Sequence, residues 1–144
     1  MRRYIVVAHK TLGGAHLLDH LHELREQDPN CTFHLVVPEN HPHTGWSEHS
    51  VHVAARNTLD EMLGRLAMMR IGATGEIGDA DPVAAVGDTL RREGGAAFSG
   101  IILSTLPKGI SRWWLFDVPR RMAARYPKLP LTHLVADESL VPAT

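Results

Sequence analysis

Apolar positions in this chain follow two rhythms that take turns. Short β-branched runs, YIVVA at Tyr4–Ala8 and TFHLVV at Thr32–Val37, give way to stretches where apolar residues recur every three or four positions. After the first run, GGAHLLDHLHEL takes helical spacing through Leu17, Leu18, Leu21 and Leu24. After the second, closed by Pro38, a polar, histidine-rich loop runs to about Trp46 and a long helix follows from Ser47. Ser47 is its expected cap, and Val51, Ala55, Leu59, Met62, Leu63 and Leu66 form its apolar stripe. A weak third strand fits Gly72–Gly78. DADPVAAVGDTLRR then reads as a helix, with Asp81 at the cap, Pro82 at the first position, and Gly94 and Gly95 ending it. Phe98–Leu103 is a fourth strand, Asp117 is placed to cap a helix over Val118–Arg125, and PLTHLVA closes as a fifth strand.

Strands that alternate with helices predict an α/β fold, because parallel strands need crossovers and right-handed crossovers put helices outside. The expected architecture is a doubly wound five-stranded parallel sheet, order 3-2-1-4-5, with helices on both faces, in a single domain over 1–144. In such a sheet ligands bind beyond the carboxyl ends of the strands, where the strand order reverses. That order brings HKTLGG, His9–Gly14, beside STLPKGISR, Ser104–Arg112.

Composition narrows the picture. The 144 residues carry a formal charge of −1, so no global field favours nucleic acid or an anionic membrane, and neither is expected as a partner. Cys31 is the only cysteine, which excludes an internal disulfide. The amino-terminal apolar stretch is too short for a signal peptide or a membrane span, and a cytoplasmic location is expected.

The layout, together with GDADPVAAV at Gly78–Val86, resembles the universal stress protein family, over nearly the whole chain. The resemblance implies that family's adenine nucleotide alpha hydrolase-like architecture and a homodimer through the C-terminal strand. ATP-binding members carry G-x2-G-x9-G-[ST] after the fourth strand. Laid from Ser104, this chain has Ser104, Pro107, Asp117 and Val118 at the four defined positions, so the spacing is kept and every residue differs. Pro107 has no amide hydrogen for a phosphate, and Asp117 puts a carboxylate where the anion would lie. At the end of the first strand, AHKT stands where such members resemble VDGS, with His9 in place of an aspartate near the nucleotide.

The expected role is therefore that of a non-catalytic, dimeric, stress-related interaction or regulatory protein. It would have a protein partner, no cofactor, and no ATP grip of the usual kind. The alternative is a nucleotide- or small-anion-binding sensor. Its candidate ligand residues are His9, Lys10, Thr11, Gly13, Ser104, Thr105, Lys108, Gly109, Ser111 and Arg112: cations, hydroxyls and glycines on the loops after strands one and four.

RWWLF, Arg112–Phe116, fits core or interface better than a base-stacking surface. The ten histidines, among them His16 and His20 beside Glu23 and the loop group His41, His43, His49 and His52, lack metal-motif spacing, and no metal site is expected. No serine elbow or H-x-G-H motif points to catalysis.

Overall fold

A computed structural model of the protein describes residues 2–8, 14–38, 48–105 and 117–135, with the backbone alone at 48–52. The elements are β1 (Arg3–Val7), α1 (Ala15–Gln27), β2 (Thr32–Pro38), α2 (Glu48–Met68), β3 (Ala73–Gly78) and α3 (Pro82–Glu93). A 3₁₀ turn at Gly95–Ala97 follows, then β4 (Gly100–Thr105), α4 (Val118–Arg125) and β5 (Leu131–Val135). The strands form one five-stranded sheet in the order β3-β2-β1-β4-β5, and every neighbouring pair is parallel. The expected topology holds, and the order reverses between β1 and β4.

Strand periodicity divides the core in two. Val6 of β1 and Ala8 just after it, with Phe33, Leu35, Val37 and Ile102, meet Leu17 and Leu21 of α1 and Leu59, Met62 and Leu66 of α2. Ile5 and Val7 point the other way. With Val36, Ile101 and Leu103 they meet Val83 and Val86 of α3 and Val118 and Met122 of α4. Central strands covered on both faces need apolar residues at successive positions, which is why β1, β2 and β4 read as continuous runs. The edge strands β3 and β5 are only partly buried. No helix among the described residues is long and apolar enough to cross a membrane.

The predicted ends of α3 follow from cap chemistry. The Asp81 carboxylate accepts the Val83 amide at 3.1 Å, with Pro82 at the start of α3. Gly94 ends that helix at φ 87°, a left-handed backbone that glycine takes without steric cost. The expected Ser47 cap lies outside the described residues.

One strand differs from expectation. β4 begins at Gly100, not Phe98, and runs on through Ser104 and Thr105. Phe98 leaves the 3₁₀ turn and is buried below the Arg3 guanidinium, 4.7 Å from its ring centre. Ser104 and Thr105 stay in the strand because β5 pairs with them, at Leu134 and Val135.

Candidate functional site

At the carboxyl end of the sheet, Val7 is level with Leu103, so the chain leaves β1 at Ala8 beside Ser104, which continues in β4. Ser104 and Thr105 are both buried. The other eight candidate ligand residues, His9, Lys10, Thr11, Gly13, Lys108, Gly109, Ser111 and Arg112, lie outside the described residues, as do Pro107 and the RWWLF segment. Gly14 is the N-cap of α1 in extended backbone; it has no side chain to occupy the first-turn amides.

Thr105 has a partner that the sequence did not suggest. Its Oγ1 lies 2.8 Å from Nε2 of His133 on β5, and the register puts both side chains on the α4 face of the sheet. Burial pushes His133 below its ordinary value of 6.5. The folded state thus favours the neutral ring. The stabilising contribution is complete above about 6.5 and is lost as pH falls through the lower folded value, because the unfolded chain takes up the proton first. Urea unfolding at pH 7.5 and 5.5 should show native stability falling on acidification, with a smaller fall in His133→Gln.

The head of α4 carries the altered phosphate-loop position. Asp117 holds the N-cap position, but its carboxylate makes no capping hydrogen bond, and its backbone at φ 53°, ψ 40° is in the left-handed region where glycine is at ease and aspartate is among the few tolerated alternatives. The backbone keeps a glycine-like geometry where the G-x2-G-x9-G-[ST] spacing expects glycine, while the side chain brings negative charge. Pro119 in the first turn removes one more amide hydrogen. Arg121 pairs at 2.9 Å with Asp81, tying the first turn of α4 to the cap of α3.

A second polar cluster lies toward the amino ends of the strands, beneath the C-terminus of α3. His34 of β2, buried to 5% exposure, places Nδ1 2.7 Å from Thr74 Oγ1 and Nε2 2.7 Å from Glu76 Oε2 on β3. Arg92 pairs with Glu76, Arg3 donates to Glu93 at 2.7 Å, and Thr89 Oγ1 is 3.4 Å from Glu76 Oε1. Burial alone would raise the Glu76 carboxyl, but its bonds to Arg92 and His34 outweigh that and hold it below the usual carboxylate range. Arg3 is the largest influence holding Glu93 low. Among the described residues, His34, Glu76 and Glu93 are the group of metal-capable side chains that converges, their ligand atoms all within 4.8 Å of one another. A lone histidine in an apolar strand is the one sequence signal for this cluster. Its partners come from β3 and the far end of α3, which only the register brings together.

The histidines singled out in the sequence fare differently. His16 and His20 are both half-buried on α1, and burial is the main influence lowering His20. His41 and His43 lie outside the described residues, and the side chains of His49 and His52 are not described. A cavity of about 190 Å³ at the amino end of the sheet is lined by Arg2, Tyr4, Leu24, Gln27, Asp28 and Cys31. Burial raises the Cys31 thiol, the reverse of what a reactive cysteine needs.

No family model matches the chain, and no curated protein matches it at a significant level. Solved structures do. A protein of the universal stress protein family from Burkholderia pseudomallei superimposes with a TM-score of 0.64 at 16% identity, covering 93% of this chain and 96% of that one. A universal stress protein family protein from Arabidopsis thaliana, crystallised with AMP bound, gives a TM-score of 0.64 at 9% identity, covering 99% of this chain and 97% of its own. At such identities the likeness is one of architecture, and the chain has the universal stress protein fold.

Proposed function

We propose that this chain is a non-catalytic, stress-related interaction or regulatory module that does not hold ATP by the usual glycine loop. Asp117 carries the reading. Its carboxylate stands at the amino end of α4, where a phosphate would otherwise meet free amides and the positive end of the helix dipole. Pro119 takes away a further donor. The module acts as a homodimer through β5, an edge strand hydrogen-bonded on one side to β4 and half-exposed along its length. Such an edge presents unpaired amide and carbonyl groups to a second strand.

The alternative is a nucleotide or anion sensor using Lys10, Lys108 and Arg112. It draws support from the AMP in the Arabidopsis thaliana structure of the same fold. Thermal unfolding with and without millimolar MgATP separates the two. Ligand at about 100 times its dissociation constant would stabilise the native state by roughly 2.7 kcal/mol, and each kcal/mol moves the midpoint of a domain this size by about 2–4 °C. The expected result is no shift for the native chain. Asp117→Gly should fold normally, because its backbone suits glycine, and should bind the anion no worse. A shift of several degrees in the native chain, abolished by Lys108→Ala, would overturn the first reading in favour of the sensor.

A further inference from the structure

We propose that His34, Glu76 and Glu93 form a binding site for a divalent cation of the zinc class, guarded by Arg92. The site is at the opposite end of the sheet from the loops discussed above and does not depend on that reading. Its ligand atoms are His34 Nε2, Glu76 Oε2 and Glu93 Oε2. Nε2 is 2.7 Å from the first carboxylate oxygen and 3.9 Å from the second. Three atoms bound tetrahedrally to one zinc ion stand roughly 3.3 Å apart. One contact must open and the other close, each by an amount that side-chain rotation supplies.

The atoms behind the ligands are already braced. Metal-binding histidines usually donate their other ring hydrogen to an outer partner, and Thr74 Oγ1 waits 2.7 Å from Nδ1. Arg3 holds Glu93 by Oε1, leaving Oε2 to the ion. Glu76 Oε1 has a looser hold, from Arg92 Nη1 at 3.3 Å and from the Thr89 hydroxyl at 3.4 Å, which also reaches the Ala85 carbonyl at 3.3 Å. Without the ion, Nε2 must carry the hydrogen that meets Glu76. With it, the ring proton moves to Nδ1 and the Thr74 hydroxyl turns to accept it.

Ligand type and placement agree. One nitrogen and two carboxylate oxygens suit zinc and leave a fourth position for water, and the two carboxylates carry the negative charge that Arg92 now shares with Arg3. Glu93 is the last residue of α3, where the helix dipole favours positive charge. Arg92 contacts both ligand oxygens, Glu76 Oε2 and Glu93 Oε2. Its side chain is 54% exposed and can leave toward solvent. It is the cation that the metal would displace.

This competition makes the test specific. The full chain, stripped with EDTA, would be titrated with zinc by calorimetry and with cobalt by visible absorption, which reports tetrahedral coordination. Glu93→Gln, at a partly exposed helix end, should weaken zinc at least about tenfold, a loss of the size seen when a metal site is disturbed. Arg92→Gln should strengthen it, and His16→Gln with His20→Gln should leave it unchanged. His34→Gln should abolish the cobalt bands; if that variant fails to fold, Glu93→Gln carries the decision. Equal zinc affinity in the native chain and Glu93→Gln, or no gain in Arg92→Gln, would overturn the proposal and leave the cluster as an ion-pair network.

Discussion

Tyr126→Ala is expected to lower native stability by about 3–5 kcal/mol, the range for truncating a large buried aromatic side chain. Tyr126 is 9% exposed and packs α4 against α3. Its hydroxyl donates to the Val83 carbonyl at 2.6 Å, and the same oxygen lies 2.7 Å from where a Cβ on Gly87 would stand. Glycine at 87 therefore clears space for one hydrogen bond. Tyr126→Phe should cost about 1 kcal/mol, the usual net value of such a bond. Gly87→Ala should destabilise in the native background, where the added carbon drives the hydroxyl away, and much less in Tyr126→Phe. Urea unfolding of the four variants measures this; additive effects would show that the two residues do not meet as described. The result bears on function, because the seam that Tyr126 closes also sets the position of Asp117.

Leu59→Ala has the next largest expected effect, about 2–5 kcal/mol, because Leu59 is fully buried on α2 against the outer strands. Its Cδ1 would stand 2.7 Å from a Cβ on Gly75, with the Leu35 carbonyl at 3.3 Å. Gly75→Ala overfills this site, and overpacking of this kind costs about 1–3 kcal/mol. Combining the two should cost less than their sum, since the added methyl enters the cavity the leucine leaves. Denaturation of the pair and the single variants is the check. A double variant as unstable as the sum would mean that α2 and β3 are farther apart at this point.

The fold was legible because apolar residues mark both local period and global layering. Val6 and Ile5 read as one run, yet the requirement that a parallel sheet be covered twice already sends them to opposite faces. Caps were legible for the same local reason: Asp81, Pro82 and Gly94 act within a turn of where they stand. The start of β4 falls later than the sequence suggests because Phe98 looks like a strand residue, whereas it is buried in the core on the α3 face and beneath Arg3, contacts outside the reach of any window of sequence. The polar clusters were hidden more deeply. His133 and Thr105 meet only through the β4–β5 register, and His34 meets Glu76 and Glu93 only after β2, β3 and α3 are assembled. Residue type marks chemistry in a sequence when its partners are near neighbours, and here they are not.

The strand order has a consequence for how the chain is made. β1 lies at the centre of the sheet, yet Tyr4 finds its second neighbour only at Gly100. During synthesis, β1, β2 and β3 can pair and take α1 and α2 on one side long before β4 leaves the ribosome. Until α3 follows, Ile5, Val7 and Val36 form a bare apolar surface, and until β4 follows the edge of β1 beside them stays open, the kind of intermediate that sticks to other chains. The nascent protein is most vulnerable when the middle of its sheet is still its rim.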